Sequence, residues 1–489
     1  MYNKVHSNLK IFKLTYYMIL ALSIASCNYP NESVKNNSDE FPICLLKEDL
    51  NSILCKDSGF TQAVSVIDLN NDDFPELFAT NTGIYERNLF YQNNMGVFIK
   101  DTAINVTKDQ FRSHGCSWVD FDNNNTIDLV VANRDDTCNL LYINNKTFIQ
   151  KILSSKNTKE SWSYGTSWCD VNNDGYLDLY ITNYNNQKNT FYQNINGQLI
   201  EKEINGITTA NHSSLHATWC DLNNDLLQDL IVCEKENNHL YINKGNFNFE
   251  QLDESNINTS ASQTYGCSTA DFNNDGLIDL FFSNWAGKNE LFMNCGNLQF
   301  KKINSGEIAL DYENSEGSCW GDFNNDGFID LAVTNDGNNK LYQNINGKSF
   351  KSIQVPGFTD TIRNSNGVVW LDANNNGFLD LFVANGKNEL NQFFKNIGNK
   401  NNYVKIQLIG SNSNRSAIGS KIKIYSNGKL QTQEVSAQSG GGCGSQKSLT
   451  LHFGIEKASK IDSLFLKWPS GKTHSFYDLK ANTKHTLKE

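Results

Sequence analysis

Apolar and aromatic residues come along this chain in short bursts separated by polar turns, and the same order of bursts recurs seven times. Each copy holds an acidic loop that ends in leucine. The loops run from Asp68 to Leu77, Asp120 to Leu129, Asp170 to Leu179, Asp221 to Leu230, Asp271 to Leu280, Asp322 to Leu331 and Asp372 to Leu381. Successive first aspartates stand 50 to 52 residues apart. An apolar stretch follows each loop and reaches Asn81, Asn133, Asn183, Asn284, Asn335 or Asn385, with Glu234 standing instead in copy four. A second apolar-aromatic stretch then ends in asparagine, as in Leu89 to Asn93 or Leu341 to Asn344. Bursts this short, bounded by Asn, Asp and Gly, signal strands rather than helices. Each copy therefore predicts strand, acidic turn, strand, turn, strand, turn, strand.

About 50 residues holding four strands is the size of one propeller blade. Such a unit cannot bury both of its faces alone, so copies pack radially. The expected fold is all-β: a closed seven-bladed β-propeller over residues 41–400. Two residues before the first aspartate stand Trp118, Trp168, Trp219, Trp320 and Trp370, with Val66 and Thr269 in the other copies. Their place in the repeat predicts core between neighbouring blades.

Within each loop, oxygen-bearing side chains fall at positions 1, 3, 5 and 9. The seven sets are Asp68, Asn70, Asp72, Glu76; Asp120, Asp122, Asn124, Asp128; Asp170, Asn172, Asp174, Asp178; Asp221, Asn223, Asp225, Asp229; Asp271, Asn273, Asp275, Asp279; Asp322, Asn324, Asp326, Asp330; and Asp372, Asn374, Asn376, Asp380. Alternate residues of a tight loop aim their oxygens at one centre, and hard oxygens suit Ca²⁺. Glycine at position 6, as at Gly175, permits the sharp turn. A plain Asn-Asp-Gly hairpin needs no acid at position 9, yet every copy has one. Several calcium ions, up to one per blade, are expected. Leu226 replaces the turn glycine in copy four, copy one carries Asp73 and Pro75, and copy seven keeps only Asp372 and Asp380 as charges.

After residue 400 the repeat stops. Tyr403 to Leu408, Lys421 to Tyr425, Leu430 to Val435 and Leu449 to Phe453 alternate as strands, and Asn427-Gly428 is a hairpin signal. Residues 401–489 are expected to form a small β-sandwich-like domain. The glycine-rich run from Ser439 to Ser448 reads as a flexible surface loop. At the other end, Lys4, Lys10 and Lys13 precede the apolar run Leu14 to Ala25, which is too short to span a bilayer. Ile24-Ala25-Ser26-Cys27 follows, resembling a bacterial lipobox. Residues 1–26 are expected as a signal peptide, Cys27 as the lipidated residue, and 27–40 as a flexible tether. That places the protein in the cell envelope, lipid-anchored to the bacterial outer membrane and facing either the periplasm or the outside.

The acidic repeats, with Gly115, Gly165, Gly266, Gly317 and Gly367 five residues ahead of the aspartate, resemble the FG-GAP or VCBS repeats of integrin-α-like propellers. Asn414-Arg415, Ile418-Gly419-Ser420, Gln438-Ser439-Gly440, Ser445-Gln446, His452-Phe453-Gly454 and Trp468-Pro469-Ser470-Gly471 resemble the ASPIC/UnbV domain. The pairing resembles the cartilage acidic protein family. The resemblance implies extracellular binding or adhesion and no agreed catalytic activity.

Composition narrows this further. Lys+Arg 42 against Asp+Glu 53 gives a net charge of −11, which argues against a nucleic-acid partner. Of the 12 cysteines, Cys27 would carry lipid and Cys44 and Cys55 lie close enough in sequence to bridge. Cys116, Cys169, Cys220, Cys267 and Cys319 recur beside strand motifs and read as small buried hydrophobes. The 8 histidines are scattered, no His-Glu-x-x-His occurs, and Cys443 with His452 is a weak nucleophile pair. The expectation is a binding module for protein or glycan partners and not an enzyme, with a polysaccharide-acting enzyme or an envelope-complex scaffold as alternatives.

Overall fold

A computed structural model describes residues 46–135, 138–153, 162–252, 257, 259, 263–438, 442 and 444–489. The signal segment, the tether, Cys27, Cys44 and Cys443 lie outside the described residues.

Six repeats fold as antiparallel meanders of four strands, and the seventh contributes three. In blade one these are Thr61–Ile67, Glu76–Asn81, Leu89–Asn94 and Val97–Lys100. The second strands are buried along their whole length, as in Glu76–Asn81 and Asp128–Asn133, because a neighbouring blade covers each face. The fourth strand of blade one alternates exposed and buried at the rim. The seven first strands stand side by side around one axis, and Arg363–Leu371 of blade seven packs beside Thr61–Ile67 of blade one. The ring is therefore closed. Its closure uses both ends of the repeat array: Leu46–Glu48 pairs antiparallel with Gln392–Asn396 as the outermost strand of blade seven, and Ser58–Gly59 pairs with Glu389–Leu390.

The tryptophans fill the seams between blades. Trp118 is buried against Phe78 of the preceding blade, rings 5.5 Å apart and edge-on. Its Nε1 donates to Ser65 Oγ at 2.9 Å. Trp168 repeats the bond to Ser117 Oγ, Trp219 to Ser167 Oγ, and Trp370 donates to the Cys319 carbonyl. Each indole thus buries apolar area worth several kcal/mol and satisfies its one donor across the seam. Trp320 is the exception: its Nε1 has no partner, and the ring lines a cavity of about 140 Å³ beside Glu434 and Gln438. The repeat cysteines Cys116, Cys169, Cys220, Cys267 and Cys319 are buried free thiols, and so is Cys55.

The C-terminal domain is a pair of small sheets. One orders Leu451–Gly454, Tyr403–Ile409 and Thr483–Lys488; the other orders Lys429–Glu434, Lys421–Ser426, Lys460–Lys467 and Thr473–Lys480. Its core, from Val404 to Trp468, runs without a break into that of blades two and three. The expectation of a flexible loop over Ser439 to Ser448 fails here, because its described residues enter the channel at the propeller axis. Gln446 pairs through its backbone with Val64 and Val66. Its side-chain amide accepts from the Trp118 N–H and donates to the Trp118 carbonyl, standing in for a strand residue of blade two. Gly444 lies so close to Gly115 and Gly165 that a Cβ would meet their Cα atoms at 3.2 and 3.0 Å. The repeat glycines thus have a second use: bare backbone lets the plug approach.

Gly444→Ala should therefore push the plug outward, since it also adds a side chain at φ +87. The expected cost is about 1–3 kcal/mol, as for overpacking a core. Protease should then cut faster between residues 396 and 403, where the two domains join. An unchanged melt and digestion pattern would show that the plug does not hold the domains together.

Candidate metal centres

Each acidic loop joins the first strand of a blade to the second, and its own side chains hold its shape. In copy three, Asp170 accepts from the backbone N–H of Asp174 and Gly175, at 2.9 and 2.8 Å. Asp174 accepts from Tyr176 N–H, and Asp178 from Val171 and Asn194 N–H. The same position 1 and position 5 bonds recur in all seven copies, copy one included, so Pro75 leaves the turn intact. Copy four keeps them too, with Leu226 at φ +75 in place of glycine. A leucine there carries about 1 kcal/mol or more of backbone strain.

Position 4 is asparagine in every copy, from Asn71 to Asn375, and every one of them has φ between 55 and 63°. Asparagine tolerates this left-handed conformation better than most residues. Several also lace the ring: Asn123, Asn274 and Asn325 donate to the carbonyls of Gly175, Gly327 and Gly377 in the next blade. The asparagine that closes the third strand reaches the other way. Asn194, Asn243, Asn294, Asn344 and Asn396 each donate to the position 2 carbonyl of the preceding loop, and Asn93 closes the circle on Ala373.

This packing buries carboxylates. Burial, reinforced by neighbouring aspartates, pushes Asp178, Asp128 and Asp229 up to about 8 and Asp170, Asp271 and Asp380 to about 7. Burial likewise lifts Glu76 to about 7 and Asp120 to about 6. Asp279, Asp322 and Asp330 are raised well above the usual carboxylate range for the same reasons. Oxygens are left unspent: Asp330 Oδ2 and Asn172 Oδ1 are buried with no hydrogen-bond partner. The structure brings ligand oxygens of Asp120, Asp122 and Asp128 within 4.8 Å of one another. The donors are all hard oxygens, and a divalent cation such as Ca²⁺ would relieve the repulsion. The residues present fit the ion.

The C-terminal domain covers this face and touches all seven loops. Lys484 pairs with Asp73, and Arg415 N–H donates to Asn123. The Asn412 carbonyl lies against Gly175. Lys421 Nζ sits 3.1 Å from Asp221 Oδ2, Lys423 stands against Gly276, and Lys429 donates to the Asp326 carbonyl. Lys405 Nζ sits 2.8 Å from Asp372 Oδ2. Lys405 and Lys421 are almost fully buried. Fixed ammonium groups thus face five of the loops, and the two that are almost fully buried, at copies four and seven, compete most directly with a cation.

Radial four-stranded blades with acidic first turns, carrying a small β domain on the loop face, define a repeat propeller. The chain belongs to the FG-GAP-like repeat family, whose model matches residues 120–181, 170–232, 221–282, 271–333 and 322–383. Residues 410–489 match the ASPIC and UnbV family. Cartilage acidic protein 1 of Xenopus tropicalis is 31% identical over 105 residues, a match taking in 18% of this chain and 16% of that protein. Among solved structures, a lectin of Agrocybe aegerita that recognises non-reducing terminal N-acetylglucosamine aligns at 13% identity and a TM-score of 0.45, over 69% of this chain and 94% of its own. The extracellular domain of a putative one-component system from B. thetaiotaomicron aligns at 12% and 0.43, over 71% and 40%.

The raised carboxylates give a pH signature. A carboxyl whose folded pKa lies above its unfolded value near 4 stabilises the fold below that value and ceases to as pH rises through the folded pKa. In chelator, the melting temperature should fall as pH climbs from about 4 to about 8. In excess calcium that fall should vanish, and stability should instead drop at acid pH as protons compete for the loops. Superimposable pH profiles with and without calcium would remove the cation from these turns.

Proposed function

We propose that the protein is a calcium-clamped binding module of the bacterial cell envelope. The observation that carries this reading is the C-terminal domain lying on all seven acidic loops, over buried oxygens such as Asp330 Oδ2 and Asn172 Oδ1 that have no hydrogen-bond partner. Calcium bound by positions 1, 3, 5 and 9 orders the turns and cements the two domains. It is structural here and takes no part in turnover.

Partner binding then falls to the opposite mouth of the ring, which the C-terminal domain leaves free. Aromatic rings gather there, most of them half-buried. Trp162 stacks on Tyr184 at 6.3 Å, Tyr164 leans on Tyr184 at 5.2 Å, and Tyr265 on Trp285 at 5.4 Å. Arg134 lies over Trp162, 5.5 Å from the ring centre. Flat rings held in place at a channel mouth suit the apolar faces of a sugar, or the side chains of a protein partner. The run Ile24-Ala25-Ser26-Cys27 supports lipid attachment at Cys27 as the tie to the outer membrane.

Calcium should raise the melting temperature, with each filled site adding about 2.7 kcal/mol at a hundredfold excess over its Kd. Copies three, five and six, with three carboxylates and glycine at position 6, should hold it tightest. Copies four and seven should empty first. Asp174→Ala should therefore remove more of the calcium-dependent shift than Asn376→Ala, with bound metal counted by elemental analysis. Equal losses, or no bound metal, would return the loops to plain turns.

Membrane attachment has its own test. Cys27→Ser should move the protein from the membrane fraction to the soluble fraction, and the wild type should carry lipid by mass spectrometry. A variant that stays with the membrane, beside a wild type free of lipid, would overturn the anchor.

A further inference from the structure

The repeat breaks its own rule once on the face opposite the acidic loops. In six copies an asparagine ends the second strand. There its side-chain oxygen typically takes a serine or threonine hydroxyl and its amide donates to a backbone carbonyl, as Asn183 does with Ser163 and Lys188. Copy four has Glu234. It keeps the first bond, accepting from Ser214 Oγ at 3.2 Å, but a carboxylate has no amide to donate. Its second oxygen turns to His212, with Nδ1 to Oε2 at 3.1 Å. His239 Nε2 approaches Glu234 Oε1 at 3.9 Å. The two imidazole rings stand 5.2 Å apart, nearly perpendicular.

We infer that His212, Glu234 and His239 form a site for a divalent transition metal of the zinc class, separate from the calcium loops. One ligand atom from each residue lies within 4.8 Å of the others. Donors around a tetrahedral Zn²⁺, bound at about 2.0–2.2 Å, stand roughly 3.3 Å apart. The observed 3.1 and 3.9 Å, one to each oxygen of Glu234, lie on either side of that spacing. A glutamate–histidine ion pair accounts for the shorter contact alone. Gln251 stands behind His239 with its amide nitrogen 3.0 Å from Nδ1, and a half-turn of that amide puts its oxygen there instead. With the amide oxygen turned inward it takes Nδ1–H and leaves the Nε2 lone pair for the metal, the usual outer support of a metal-bound histidine. Glu234 is buried while both imidazoles keep some exposure, so an ion can enter. Two imidazoles and a carboxylate favour zinc over calcium. They leave a fourth position open to water or to a partner's donor group.

Glu234 and Asp229 lie at opposite ends of the strand Asp229–Glu234, so the two kinds of site can be filled independently. The test uses the full chain, stripped by chelator and then held in excess calcium so that the loops are occupied. Zn²⁺ should bind at one equivalent per chain by calorimetry and elemental analysis. Co²⁺ should give the intense visible absorption of a tetrahedral nitrogen–oxygen site. Glu234→Asn installs the residue of the other blades, so it should fold and keep its calcium-dependent melt. It should weaken zinc at least about a hundredfold and abolish the cobalt bands. His239→Gln should do the same. One equivalent of zinc surviving in both variants, or none in the wild type, would overturn the site and leave an ion pair.

Discussion

The structure depends on a ring of carboxylates held out of water between two domains. Ionised carboxylates are costly to bury without compensation, and here they are packed together under a lid. Every other feature of that face answers the problem. Backbone N–H groups converge on position 1 from within the loop. Lysines from the lid reach five of the loops and are buried against copies four and seven. Hard-oxygen donors remain unspent in copies three and six. Once the charges are compensated, the loops become the rigid floor on which the C-terminal domain stands, and the two domains behave as one body with a shared core.

Much of this was legible in the sequence because the repeat is a local rule copied seven times. Spacing gave the blade, the tryptophan stripe gave the seam, and the oxygens at positions 1, 3, 5 and 9 gave the loop. Position 4 escaped notice although it never varies. Its asparagine holds a left-handed backbone and is not a ligand, so a search for donors passes over it. The docking of the C-terminal domain left no periodic trace. Lys405, Lys421 and Lys484 lie in ordinary alternating strands, and only folding shows which acids they face. The plug is hidden in the sequence for a similar reason. Glycine-rich sequence signals freedom in isolation, but beside the bare backbone of Gly115 and Gly165 it signals close approach.

The departures from the repeat are as informative as its regularity. Leu226 keeps the loop hydrogen bonds despite its strain, so the loop's form is imposed by its surroundings as well as by its own sequence. Trp320 loses its cross-seam bond where a cavity opens between the domains. Glu234 departs on the opposite face, beside two of the protein's few histidines. Where one copy among seven changes a residue that the other six use structurally, the change marks a local task.

Closure of the ring has a consequence for how the chain comes to be folded. The strand that completes blade seven is Leu46–Glu48, and its partner is Gln392–Asn396. The plug that seals the axis pairs Gln446 with Val64 and Val66. Both contacts join segments more than 300 residues apart, which makes them late and slow to form. During synthesis, successive blades can stack as each emerges, yet an open arc exposes a bare blade face and unpaired strand edges at both ends. Cooperative protection of the whole ring arrives only when the array has been made in full and its two ends meet.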